Sequence, residues 1–281
     1  MDRLRRLDNW MTLHPWHPRV TPWVVYLVLL ALIMWLHEQF PVSYPFLYTF
    51  QCGVVVWLLW RYRRLMPELT LSFHWLAVPA GLGVACLWIG MGDWMTATFA
   101  PRFDDAGVTP FVTDDQMGPI VGWTAMGLRL VGMSVVVPMF EEMFNRSLLL
   151  RSLHRMRRTG QGLLQVMVDF PMIGDWLRQT KAGDRADQAP PVFGPEFETT
   201  PFGRLSVFGV LASTLLFVSV HGMRDWPACF VCGVVYCLVV AATRRKGLGP
   251  VIWTHGITNA ALWGYTIWQH FYAQVPFWRY L

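Results

Sequence analysis

Charge is what this sequence has least of. Of its 281 residues only 15% are Asp, Glu, Lys or Arg, while 54% are hydrophobic and mean hydropathy is +0.35. An ordinary soluble domain carries about 25% charged residues. The shortage excludes a disordered chain, which has little apolar content and much net charge, and a nucleic-acid binder, which needs a basic face. The five cysteines all sit inside apolar runs, which excludes a small disulfide scaffold. Cys229 and Cys232 have the spacing of a redox or zinc pair, but no second pair accompanies them; they read as buried thiols packing as small hydrophobes. No Gly-x-Ser-x-Gly, phosphate-binding loop or dinucleotide fingerprint occurs. His37-Glu38 is followed by Gln39-Phe40-Pro41, so the zinc-binding pattern His-Glu-x-x-His is missing too.

What the sequence has is long apolar runs. A helix needs about 20 mainly apolar residues to cross the hydrocarbon of a bilayer, and only helices pair every backbone group internally within such a run. Seven runs read as spans, the first, second and fifth of them short: Pro22 to His37, Pro45 to Trp60, Phe73 to Gly92, Pro119 to Phe140 continuing towards Arg151, Leu205 to His221, Trp226 to Thr243, and Pro250 to Phe271. The fold class this predicts is all-α, a polytopic transmembrane helix bundle of about seven spans. The first run, after a polar lead of about 20 residues with no small-residue cleavage site behind it, reads as a retained signal anchor.

Arginines set the expected orientation. Arg3, Arg5, Arg6 and Arg19 place the N-terminus in the cytoplasm; Arg61, Arg63 and Arg64, then Arg151, Arg155, Arg157 and Arg158, then Arg244, Arg245 and Lys246 return the chain there. The loop with Asp93, Asp104, Asp105, Asp114 and Asp115 against one Arg102 is expected outside. This gives an N-terminal membrane region, 1–117, with three spans. It is followed by a core, 118–281, with four spans and a cytoplasmic insertion at about 155–203. In the insertion Leu163, Val166, Met167, Phe170 and Leu177 form one helical stripe broken at Pro171 and Gly174. That suits either a broken helix in the membrane interface or a loosely packed insertion. Lys181 to Pro201, rich in Pro, Gly and acids, reads as a flexible linker.

Ionisable groups inside a span cost about 2.5–3.5 kcal/mol each on insertion scales, so each needs a partner or a task. Three stretches hold them: Glu141, Glu142 and Arg146 after Pro138; Phe217 and His221; His255 and Asn259. Glu142 and Arg146 are spaced for an ion pair on one helix face, while Glu141 points about 100° away and meets different surroundings. Pro138 lacks a backbone N–H and is expected to bend the helix just before the two acids. His255 and Asn259 share a face and can aim two donors at one point, as an oxyanion hole requires. Each element has a bland reading, a packed histidine or a helix-locking ion pair; together they form an inventory suited to hydrolysis. Arg129 needs a partner that the sequence does not identify, and Asp93 and Asp225 at span ends read as solvated.

The three motifs resemble those of the CAAX prenyl endopeptidase and bacteriocin-processing (CPBP) intramembrane proteases: Glu-Glu-x-x-x-Arg, Phe-x-x-x-His and His-x-x-x-Asn, in that order. Pro201-Phe-Gly-Arg and Phe140-Glu-Glu-Met-Phe-Asn-Arg-Ser look closest to an exosortase-associated bacterial subgroup. The resemblance implies an endopeptidase in which Glu141 and His221 activate water, while His255 and Asn259 stabilise the tetrahedral intermediate. Glu142 and Arg146 would orient substrate or fix Glu141. It implies no obligatory metal or other cofactor, although two histidines and a glutamate from separate helices could hold zinc. The implied partners are a membrane-associated peptide or protein substrate and the lipid bilayer, with no nucleic acid. The implied location is a bacterial inner membrane. The rival classes are a catalytically silent scaffold or immunity-type protein and a small proton-coupled transporter. One conflict stands: a fifth span that crossed fully would leave His221 near the outer face, away from Glu141 and His255.

Overall fold

The computed structural model describes residues 2–40, 43–99, 118–170 and 172–273. Most of the acidic loop, including Arg102, Asp104, Asp105, Asp114 and Asp115, lies outside the described residues. Every regular element among those described is helical. In chain order these are α1 (Asp2–Leu13), α2 (His17–Gln39), α3 (Tyr44–Tyr62) and α4 (Ala77–Phe99). Helix α5 follows, running from Pro119–Val131 through a π turn at Gly132–Val136, then Val137–Glu142, a second π turn at Met143–Leu149, and Leu150–Ser152. After it come α6 (Met156–Asp169), α7 (Ile173–Arg178), α8 (Lys181–Gln188), α9 (Phe193–Thr199), α10 (Val207–Ser219), α11 (Trp226–Thr243) and α12 (Gly249–Ala273).

Four helical stretches are long and apolar enough to cross a membrane: His17–Leu36, Ala77–Phe99, Ile120–Ser152 and Met223–Lys246. Helices α3, α10 and α12 are further apolar helices of the bundle. The spans begin where the sequence allows: α2, α3, α5 and α11 each carry Pro in the first turn, where its missing N–H costs nothing. Large apolar side chains such as Val28, Phe46, Trp60 and Leu238 point outward and are exposed. In hydrocarbon this surface is the lipid-facing belt; in water it would drive aggregation. Half of the α11 window is buried, against 22% for those of α2 and α4, so α11 is the most central span. The core around it joins Val55 and Leu59 of α3, Val84 of α4, Phe140 and Met143 of α5, Phe217 of α10 and Val251 of α12.

Two glycines set the close packing that the site needs. A Cβ on Gly81 of α4 would stand 2.7 Å from the Thr254 carbonyl of α12. A Cβ on Gly256 of α12 would run into the Ser134 carbonyl of α5. Helix α12 is therefore clamped between α4 and the first π turn.

The insertion departs from the sequence expectation in one part. Helix α6 ends at Asp169 and α7 begins at Ile173, so the break falls where it was expected, and Leu163, Val166, Met167 and Phe170 are exposed. Leu177 instead packs inward on Val168 and Ala186. The stretch read as a flexible linker contains two helices, α8 and α9. Thr180 caps α8, its hydroxyl accepting the Gly183 N–H at 3.0 Å. The Gln165 side chain donates to the Ala189 and Pro190 carbonyls (3.1 and 3.0 Å) and accepts the Val192 N–H (3.2 Å). Phe197 of α9 is buried beneath the Arg19 and Arg151 guanidiniums, at 4.9 and 3.8 Å from its ring centre. These ties come from residues far along the chain, which local composition does not reveal.

Candidate active site

The site is built on the disturbed middle of α5. Pro138 has no N–H, and the Val137 N–H reaches back to the Gly132 carbonyl in the π turn. The Met133 carbonyl is thereby left without its usual backbone donors. The Asn259 side chain supplies one, donating from Nδ2 at 2.7 Å. Proline thus widens the helix into a π turn and creates an acceptor that anchors α12. The second π turn starts just after Glu142, and there the Asn145 side chain donates to the Glu141 carbonyl at 3.0 Å. Asn145, Arg146 and Ser147 are all buried, so the glycosylation-like Asn-Arg-Ser is not a surface sequon.

Glu142 is fully buried and engages two cations or potential cations. Its Oε1 accepts from His255 Nδ1 at 2.9 Å, and its Oε2 lies 3.3 Å from Arg146 Nε. The ion pair with Arg146 is the one the spacing predicts, and the structure adds His255 as a second partner that the sequence did not reveal. Because a carboxylate only accepts, His255 must carry a proton on Nδ1. Its Nε2 then faces Glu141, whose Oε2 is 4.0 Å away. That is too long for a direct hydrogen bond, so the Glu141 carboxylate is not consumed by the ring. Arg146 is buried between the rings of Phe217 and Tyr236, 5.4 and 5.7 Å from their centres.

His221 follows the end of α10. Its Nδ1 lies 2.8 Å from the Phe217 carbonyl, which can only accept, so Nδ1 donates and Nε2 keeps its lone pair. The ring packs on Phe217 at 4.5 Å between centres, and Trp226 Nε1 donates to the His221 carbonyl at 3.0 Å. His221 makes no hydrogen bond or ion pair with Glu141 among the described residues. The structure therefore brings Glu141, Glu142, Arg146 and His255 together, with Phe217 and His221 beside them. Asn259 is held on α5 rather than on His255.

The length of α10 bears on the conflict over depth. Its 13 residues span about 20 Å, short of the ~30 Å of hydrocarbon. Ser206 at its foot donates to the His154 carbonyl, just past α5, at 2.6 Å, so both helices have an end at that level. From there Glu141 is about 16 Å along α5 and His221 about 21 Å along α10. His255 and Asn259 lie about 9 and 15 Å along α12. The turn after α10 leaves Val220, Gly222 and Met223 exposed, while His221 is half-buried against Phe217.

Several residues of the site escaped the sequence reading. Tyr236 lies 5.2 Å from the His255 ring centre to centre, and its hydroxyl donates to Thr258 Oγ1 at 2.9 Å. A lone phenol inside an apolar span was the available signal. Asp225, read as solvated, is half-buried and accepts from Trp88 Nε1 at 3.2 Å. Arg129, whose partner the sequence does not identify, donates to the Tyr44 hydroxyl and lies over the Tyr44 and Tyr48 rings. Cys229 and Cys232 are buried free thiols, as read. No three His, Cys, Asp or Glu side chains group as a metal ion would need among the described residues.

Residues 192–261 match the family model described as Type II CAAX prenyl endopeptidase Rce1-like. The matched segment holds Phe217, His221, His255 and Asn259 and begins after Glu141 and Glu142. It supports the CAAX-protease resemblance drawn from the motifs at family level, without reaching the exosortase-associated subgroup. No curated protein and no solved structure matches the chain.

Proposed function

Because residues 192–261 carry the signature of a CAAX-type membrane protease family, we propose that this chain is an intramembrane endopeptidase in which Glu141 and His221 activate water. The observation that carries the reading is the Glu142–His255–Glu141 arrangement. One buried carboxylate fixes Nδ1–H, and Nε2 is turned towards a second carboxylate that no hydrogen bond neutralises.

The steps follow from the donors and acceptors. Water gives a proton to the Glu141 carboxylate, with His221 Nε2 as the second basic atom, and the hydroxide attacks the scissile carbonyl carbon. The carbonyl oxygen becomes an oxyanion. His255 donates to it from Nε2 in the doubly protonated form, whose Nδ1–H Glu142 holds, and the free N–H of the Asn259 amide is the second donor. Collapse of the intermediate breaks the C–N bond, and the proton held at Glu141 passes to the leaving amine. Helices α4, α5, α10 and α12 keep bulk water away, which strengthens each of these interactions. The substrate is a membrane-associated peptide or protein, and the arginine pattern puts the N-terminus and the 155–203 insertion in the cytoplasm, at an inner membrane.

The test is cleavage of fluorogenic membrane peptides by purified protein in nanodiscs, with and without chelator. Glu141→Gln should lower the rate by about 10²–10⁴-fold at unchanged folding, and chelator should leave the wild type active. Full activity in folded Glu141→Gln would end the glutamate reading. Proton-coupled uptake abolished by the same change would favour a transporter. Chelator loss restored by zinc would make the reaction metal-dependent.

A further inference from the structure

A second recessed site lies away from the protease groups. A wide, open cavity, a hollow of about 550 Å³, lies where the loop after α3, the turn at Phe202 and the Arg244–Lys246 turn after α11 meet. Arg244, Arg245 and Lys246 line it, are exposed, and form no ion pair among the described residues. Three cations on consecutive residues repel one another, so the arrangement favours an anion between them.

The cavity wall is built rather than loose. The Thr70 and Ser72 hydroxyls both donate to the Lys246 carbonyl (2.5 and 2.6 Å). The Leu248 N–H donates to the Glu68 carbonyl at 2.8 Å and the Gly249 N–H to Thr70 Oγ1 at 3.1 Å. A Cβ on Gly203 would stand 2.6 Å from Arg244 Cβ, so the Phe202–Gly203 turn presses on the basic turn from the other side. Glu68 is the acid on the wall, and its charge is already used: Arg19 holds Oε1 from Nε at 2.6 Å and Oε2 from NH2 at 2.8 Å, and Ser147 donates to Oε1. The net field in the cavity is positive.

We propose that this cavity binds the phosphate of an anionic phospholipid headgroup. Guanidinium forks suit phosphate oxygens, and the Phe202 ring offers an apolar wall for the glycerol end. The site lies at the ends of α3 and α11 and the start of α12, where apolar spans give way to polar turns and lipid headgroups are found. Inorganic phosphate shares the binding chemistry but lacks the apolar part and the confinement to the bilayer surface. The inference does not rest on the protease reading.

The experiment is thermal unfolding of the purified full-length protein in mixed micelles. Phosphatidylglycerol, phosphatidylcholine or inorganic phosphate is titrated, and native mass spectrometry counts retained lipid. Phosphatidylglycerol should give a saturable rise in Tm that shrinks with salt, and phosphatidylcholine little. The shift and the retained lipid should disappear in R244Q/R245Q/K246Q and persist in R63Q/R64Q, which removes two exposed cations outside the cavity. Should the triple variant fail to fold, R245Q alone should raise the phosphatidylglycerol concentration for half-maximal shift several-fold. Equal shifts from both lipids, or equal losses in the cavity and control variants, would overturn the proposal. So would stabilisation by inorganic phosphate alone.

Discussion

Glu142 and Arg146 form a pair whose removal has a worked consequence. Both are fully buried, and Arg146 Nε, Nη1 and Nη2 make no hydrogen bond among the described residues. The guanidinium charge is therefore balanced by Glu142, at 3.3 Å, and by the faces of Phe217 and Tyr236. Taking away one member of a buried pair leaves an uncompensated charge, a loss of about 3–5 kcal/mol. That is a large part of the ~5–15 kcal/mol that holds an ordinary domain folded. Glu142→Gln isolates the charge, because its amide oxygen can still accept from His255 Nδ1. Arg146→Met keeps volume and gives up cation–π contacts worth about 0.5–2 kcal/mol. Replacing both partners by neutral groups is often close to neutral, so the double variant should be more stable than either single one. Reversible unfolding in mixed detergent micelles, run as a double-mutant cycle, should give a coupling larger than either single loss, above about 3 kcal/mol. Peptide cleavage should stay low in the double variant, since the neutral amide cannot support a charged His255. If the two single losses simply add in the double variant, to within about 0.5 kcal/mol, the pair is not the coupled unit described.

Three other outcomes can be checked with the same assays. Pro138→Ala restores an N–H near the Met133 carbonyl and competes with Asn259; it should leave stability unchanged or raised, and lower cleavage about 5-fold, the worth of one ~1 kcal/mol hydrogen bond. Gly256→Ala should cost about 1–3 kcal/mol and reduce cleavage, because the new methyl meets the Ser134 backbone carbonyl and pushes His255 from Glu142; unchanged stability would contradict the close α5–α12 approach. Burial raises the Glu68 carboxyl, but the Arg19 hydrogen bonds and charge, with Ser147, outweigh it and hold the group below its usual 4.5. The ionised form is thus the one that folding favours: its stability increment is complete above about pH 4.5 and is lost as pH falls through the lowered folded value. Unfolding measured from pH 7 to 3.5 should show that loss in wild type and a flatter profile in Glu68→Gln.

The spans were legible because their signal is local. Trp226–Thr243 was read to the residue, since Pro227 fixes the start and Arg244 stops the apolar run. The motif residues were legible for the opposite reason: Glu141, His221, His255 and Asn259 stand out as polar groups in apolar surroundings. Their mutual contacts were not legible. Glu142 and His255 are 113 residues apart, and no spacing within α5 or α12 says that Nδ1 meets Oε1. The helices α8 and α9 were missed because Pro, Gly and acids read as linker, whereas Gln165, Arg151 and Arg19 tie the segment down from outside it. The depth of His221 was left open by the sequence, because the fifth run is short; the structure adds that α10 has 13 residues and starts level with the end of α5.

On the proposed protease reading, the two adjacent acids have separate tasks. An ionised Glu141 within an apolar bundle needs a nearby positive charge, yet a cation bound directly to it would block its use as a base. The structure separates the two requirements. Glu142 takes the direct contacts, to Arg146 on one oxygen and to His255 on the other, and leaves Glu141 at 4.0 Å from the ring. With His255 doubly protonated, two carboxylates face one guanidinium and one imidazolium, and the group is neutral as a whole. Glu141 is then free to accept a proton while its charge is still balanced at one remove. An arginine placed to reach Glu141 directly would preserve the charge sum and lose the base, which is why the pairing pattern matters more than the residue inventory.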